Sequence, residues 1–107
     1  MENLLEKTKE KLGVCHKTPK DVLWVGTSDG SEATTWEKFE KMADFEYDND
    51  YGIIEIRRDL VVIGKEKNWW LERYEYDGSG WWVYREQPKL LKNHKELNKL
   101  SEYDGVE

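Results

Sequence analysis

Four carboxylates occupy every second position of one short stretch, Asp44, Glu46, Asp48 and Asp50, with Phe45, Tyr47 and Tyr51 among the residues between and after them. Side chains of an extended chain alternate between faces, so extended backbone here puts all four acids on one side, about 6.6 Å apart, and turns the rings to the other. Negative charge at that spacing resembles a nucleic-acid backbone and suits a cleft of Lys and Arg that otherwise holds phosphates. The same run also reads as a solvated loop. It does not read as a calcium loop, because Gly52 stands where the third ligand belongs and no Glu closes the series at the required distance.

Other chemistries are poorly provided for. Cys15 and His16 are adjacent, so on a strand they point apart and form no nucleophile and base pair. Together with His94 they are the only soft ligands, too few for a structural zinc site. Gly64, Gly78 and Gly80 fall in expected hairpin turns, leaving no phosphate-binding glycine loop. The expectation is a protein with no catalytic residues, no metal and no cofactor, one that works by binding.

The second candidate surface lies in WWLERYEYDGSGWW, residues 69–82. On a strand each Trp pair sends one indole to each face. A type II′ turn at Gly78-Ser79 would set Tyr76 opposite Trp81, Tyr74 opposite Val83 and Glu72 opposite Arg85. One face then carries Trp70, Tyr74, Tyr76, Trp81 and Val83 with a single ion pair at its far end, which makes it the better core face. The other carries Trp69, Leu71, Arg73 and Glu75 against Trp82, Tyr84 and Glu86, with Arg73 opposite Tyr84 and diagonal to Trp82. Two readings of this second face compete. Either a terminal helix covers it as a second small core, or Trp69, Trp82 and Tyr84 stay partly exposed around Arg73 as an anchor patch, these being residue types that dominate binding hot spots. A register error of one residue would exchange the faces.

The elements that must position these groups follow from periodicity and breakers. Residues 3–12 read as a short amphipathic helix stopped by Gly13; 21–27 as a strand closed by a turn at 28–30; 31–34 as a second short strand. Thr34 and Glu37 have capping-box spacing ahead of a helix through Ala43 with Trp36, Phe39 and Met42 on one stripe. Strands are expected at 53–56 and 60–63, then the hairpin. After Pro88, residues 90–100 carry a helical pattern, and 101–107 a frayed end. The fold expected is α+β: an antiparallel sheet of four to five strands with an N-terminal helix, an inserted short helix and a C-terminal helix.

Composition bounds the rest. The 107 residues suit a single domain, 1–107, divided as a helical arm at 1–20, an acidic body at 21–88 and a C-terminal helix and tail at 89–107. Leu, Ile, Val and Phe number only 23, so six Trp and six Tyr must supply much of the core. The net charge of −6 is uneven: residues 21–88 hold sixteen acids against eight bases, while 1–20 hold five Lys against three Glu. Such a body disfavours nucleic acid and anionic membrane as direct partners and favours a basic protein surface. The opening MENLLEKTKEKLG has no apolar run, so neither a secretion signal nor a membrane anchor is expected, and one cysteine fits a reducing cytoplasm.

The strings VLWVG (22–26), TWEKF (35–39), YGIIEI (51–56), DLVV (59–62) and WLERYEYDGS (70–79), with Trp81-Trp82 and Pro88, resemble small proteins encoded by phages and prophages of Gram-positive bacteria. The likeness spans about residues 21–95. It implies a small accessory phage protein acting in the cytoplasm of the host bacterium. Inhibitors of host defence are prominent among such proteins, including anti-CRISPR proteins that block the basic nucleic-acid cleft of a Cas9-type nuclease. On that basis the partner-binding residues expected are Asp44, Glu46, Asp48 and Asp50, with Trp69, Arg73, Trp82 and Tyr84 as anchors. The alternatives are a binder that sequesters a signalling nucleotide, stacking its base on paired rings with Arg73 on a phosphate, and a virion or assembly component.

Overall fold

Asn3 starts the first helix: its side-chain oxygen accepts the Glu6 N–H at 3.0 Å, and Leu4, Thr8 and Leu12 then fall on one buried stripe. The computed structural model describes residues 1–48 and 56–102. In chain order the elements are β1 (Glu2–Asn3), α1 (Leu4–Val14), β2 (Val22–Thr27), β3 (Ala33–Thr34), α2 (Trp36–Met42), β4 (Glu46–Tyr47), β5 (Leu60–Gly64), β6 (Trp69–Tyr76) and β7 (Ser79–Glu86). Asp50 and residues 53–55 of the strand expected at 53–56 lie outside the described residues.

The architecture is α+β. Five antiparallel strands run in the order β3-β2-β5-β6-β7, and β1 pairs with β4 in a separate ribbon, Asn3 opposite Glu46. Gly26 permits the close pairing of β2 with β3, because a Cβ there would overlap the Glu32 carbonyl oxygen.

Several local expectations shift. Helix α1 continues through Gly13 to Val14 and stops where His16 takes the left-handed conformation, φ 60°. Helix α2 is capped by Thr35, whose hydroxyl accepts the Lys38 N–H at 3.2 Å; Thr34 is occupied in the ladder opposite Val25. Trp36 and Phe39 face the core as expected, but Met42 is exposed and Ala43 is buried in its stead. The hairpin turn is Asp77-Gly78 rather than Gly78-Ser79. Both residues have positive φ, 54° and 86°, the conformation in which an Asp-Gly pair closes a two-residue hairpin loop matched to strand twist. Tyr74 therefore pairs with Trp81 and Arg73 with Trp82, each partner displaced by two from the expected register. An even displacement leaves every side chain on its expected face.

Which face is covered is the main correction. Cross-strand partners align Val25, Val62, Leu71 and Tyr84 in one row. This row, with Trp69 and Trp82, joins Leu4 and Leu12 of α1 and Trp36 and Phe39 of α2 in one cluster. Both helices thus lie on the face of Trp69 and Trp82, and the face of Trp70, Tyr74, Tyr76, Trp81 and Val83 is the outer one.

The C-terminal helix is not formed. Gln87 N–H still reaches the Asn68 carbonyl at 2.7 Å, but residues 88–100 have no regular structure beyond a turn, and Leu90, Leu91, Leu97 and Leu100 are exposed. A helix of this length is marginal unless its apolar stripe is covered, and these leucines remain 68 to 93 % exposed.

Candidate functional site

The four hairpin residues expected as anchors do come together, but on the inner face. Trp69 is 2 % exposed and Trp82 4 % exposed. Trp69 stacks on Tyr84 with ring centroids 5.9 Å apart, and Lys17 Nζ lies 5.2 Å from its ring centroid. Trp82 donates its indole N–H to Thr8 Oγ1 at 2.8 Å, and the Arg73 guanidinium sits over its ring at 5.0 Å. Tyr84 is half-buried and donates to Glu86 Oε2 at 3.0 Å; burial first, and then this carboxylate, pushes its hydroxyl up to about 12. Trp69 and Trp82 are therefore core residues, Trp82 held against α1 through Thr8 and Trp69 packed on Tyr84 and Lys17. They cannot serve as a surface patch while the protein is folded.

The acidic row divides. Asp44 is exposed and accepts a hydrogen bond from Asn3 Nδ2 at 3.0 Å, and Glu46 is exposed on β4. Between them Phe45 is half-exposed, while Tyr47 turns into the core with its ring 6.3 Å from that of Phe45. Glu46 and Tyr47 show the alternation the spacing predicts, whereas Phe45, expected to turn inward, is exposed. Asp48 is half-buried. Asp50 lies outside the described residues.

The surface that sequence reasoning placed inside is the outer hairpin face. Tyr74 and Trp81 stand opposite each other with centroids 5.1 Å apart and are 48 % and 46 % exposed; Tyr76 beside them is 69 % exposed. Further along, Trp70 is half-buried with its indole N–H donated to Glu72 Oε1 at 2.9 Å, and Arg85 Nε reaches the same oxygen at 3.3 Å. Trp24 and Ile63 extend this row onto β2 and β5. Val61 is buried on this side among its strand neighbours and takes no part in the helix-covered cluster. The missed signal was in β5: once Val62 is paired with Leu71, the aliphatic row fixes the inner face, whatever the aromatic count of the hairpin alone.

The two surfaces meet. Glu2 and Tyr47 of the β1–β4 ribbon face Arg73, Gly80 and Trp81 of the hairpin across one cavity of about 310 Å³. Glu2 of the ribbon and the exposed Trp81 ring of the hairpin therefore line the same cavity.

Among the described residues, no group of three or more His, Cys, Asp or Glu is placed to hold a metal ion, and no helix is long and apolar enough to cross a membrane. Compared with known proteins, the chain matches no family model, no curated protein and no solved structure.

Proposed function

We propose that this protein acts without catalysis, by docking onto a basic, nucleic-acid-handling protein, most concretely as a phage-encoded inhibitor that blocks a Cas9-type nuclease in the cytoplasm of its bacterial host. The observation that carries the binding reading is the exposed outer face, where Tyr74, Tyr76 and Trp81 are held on a two-stranded ladder with 46 to 69 % of their surface available. Rigid aromatics lose little conformational freedom on association and supply most of the area in a typical hot spot. The exposed Asp44, just before β4, and Glu46 on β4, together with the net charge of −6, favour a partner lined with Lys and Arg. The nuclease and the phage origin rest on the sequence resemblance, and the basic partner on the charge.

The reading moves the anchors from Trp69, Trp82 and Tyr84 to Tyr74, Tyr76 and Trp81, and keeps Asp44 and Glu46 as steering charges. A nucleotide stacked between paired rings is disfavoured, because Trp82 is buried under α1 with Arg73 already on its ring.

The test is titration of the purified chain into DNA-cleavage reactions of guide-loaded Cas9-type nucleases from Gram-positive bacteria. Stoichiometric inhibition is expected, weakening as salt rises. Trp81→Ala combined with Tyr74→Ala should weaken it by roughly tenfold or more at unchanged melting temperature, and Asp44→Asn with Glu46→Gln should slow association. Undiminished inhibition by both double variants would remove these surfaces from the proposal, and absence of inhibition across the nucleases would remove the target class.

A further inference from the structure

The cavity between α1, the β1–β4 ribbon and the hairpin is built with opposite charges that do not satisfy each other. Arg73 Nη1 and Glu2 Oε2 both belong to residues lining it, and both atoms are buried without a hydrogen-bond partner. Buried polar groups are normally paired, and a charged one left alone is costly, so two of opposite sign on one cavity point to an occupant that serves both.

Their positions are fixed from behind. Arg73 is held over the Trp82 ring, and Trp82 is held by Thr8. Gly80 leaves the guanidinium its room: a Cβ there would sit 3.0 Å from Arg73 Nη2. The other Glu2 oxygen is 3.6 Å from Lys7 Nζ, and Lys7 is shared with Glu10 at 3.7 Å. Lys11, also on the cavity wall, makes no ion pair among the described residues. Among the described residues, the wall thus offers two cationic groups, Arg73 and Lys11, with no acid paired to them, and one carboxylate oxygen, Glu2 Oε2, with no hydrogen-bond partner.

We propose that this cavity binds a small zwitterionic amino compound of the α-amino acid class, with its carboxylate on Arg73 and Lys11 and its ammonium group on Glu2. A bare anion such as phosphate would meet Glu2 and Glu10, and a bare cation would meet Arg73 and Lys11; a ligand carrying both charges on neighbouring atoms meets neither obstacle. A volume of about 310 Å³ is at the small end of ligand sites and admits a free amino acid more readily than a dinucleotide. Val14 gives the ligand's side chain an apolar wall. This site adjoins the outer docking face and shares Trp81 with it, but its charged groups Glu2, Lys11 and Arg73 are not among the anchors proposed there.

The experiment is isothermal titration and amide chemical-shift mapping of the whole chain with each free L-amino acid. N-acetyl amino acids lack the ammonium, amino acid amides lack the carboxylate, and inorganic phosphate is the bare anion. At least one free amino acid should bind and shift amides of Glu2, Lys11 and Arg73, with its N-acetyl and amide forms weaker by about tenfold or more. Glu2→Gln and Lys11→Gln should weaken binding while leaving the melting temperature unchanged, which separates loss of a ligand contact from loss of fold; Arg73→Gln should abolish it. Phosphate binding as tightly as the free amino acid, equal binding of the N-acetyl form, or no shift with any amino acid at about 10 mM, a concentration that even a weak site of millimolar Kd would report, overturns the proposal.

Discussion

Trp82 and Thr8 are joined by a buried hydrogen bond of 2.8 Å, and the Thr8 hydroxyl passes its own hydrogen to the Leu4 carbonyl at 2.7 Å. This chain ties the last strand of the sheet to the first helix across 74 positions of sequence. It also explains how an indole can sit on the covered face: its N–H has an acceptor, and its ring has Arg73 on one side. Thr8→Val keeps the shape and removes the acceptor, leaving the Trp82 N–H buried and unpaired. The expected loss is about 1–3 kcal/mol. Thr8→Ser keeps the oxygen and should retain most of that stability in a thermal or urea melt. Equal stability of the Val variant and the parent would show that the bond contributes nothing.

Gly64 ends β5 directly beneath Trp69. A Cβ at this position would overlap the Trp69 indole, which cannot retreat because it is stacked on Tyr84 and covered by Lys17. Gly64→Ala should therefore destabilise by about 1–3 kcal/mol through overpacking, although alanine is ordinarily harmless in exposed strand positions. Trp69→Leu on the Gly64→Ala background should recover part of the loss. A Gly64→Ala protein that melts with the parent would mean that the indole has room to move.

The sequence marks most elements and misplaces the covered face, and the difference is one of range. Asn3, Thr35 and the Asp77-Gly78 turn act within a few residues, so the helices and the hairpin are visible in the local pattern. The hairpin alone has rings on both sides, and what decides between them is the pairing of Leu71 with Val62 and of Val62 with Val25, the second joining residues 37 positions apart that no short window of the chain contains. The β1–β4 ribbon, two residues per strand, is too short for any period. At 90–100 the leucine pattern is present, but a pattern forms a helix only where a surface receives it. For the candidate site, the alternation of Glu46 and Tyr47 was legible, while the exposure of Tyr74, Tyr76 and Trp81 was not, since it depends on where α1 packs.

Acid should loosen the 27–32 turn before it unfolds the sheet. The Asp29 carboxylate accepts the Ser31 N–H at 3.0 Å and the hydroxyls of Thr27 and Ser31 at 2.7 Å each. These bonds, the Ser31 N–H foremost, hold it down at about 2 against an ordinary 3.8. A folded-state value below the unfolded one stabilises the protein fully above the unfolded value, and that stabilisation is lost as pH falls from about 4 through about 2. The stability difference between the parent and Asp29→Ala should accordingly be constant at neutral pH and shrink over that window. A difference that does not change with pH would remove Asp29 from the acid limb.

The segment that follows β7 should be dispensable for the fold. From Lys89 to Leu100 every residue is exposed, and among the described residues His94 bonds only to the nearby Leu91 carbonyl. Among backbone bonds of the described residues, the last tie to the sheet is Gln87 N–H on Asn68 O, upstream of Pro88. Ending the chain after Pro88 should thus shift stability by no more than about 0.5 kcal/mol, the usual range for surface changes, and should leave the far-ultraviolet helix signal of α1 and α2 intact. Four exposed leucines at nearly helical spacing are also an association hazard, so the truncated chain should be the more soluble of the two. A large drop in melting temperature on truncation would mean that the leucines find a surface on the body in solution, and the covered part of the sheet would then have to be redrawn.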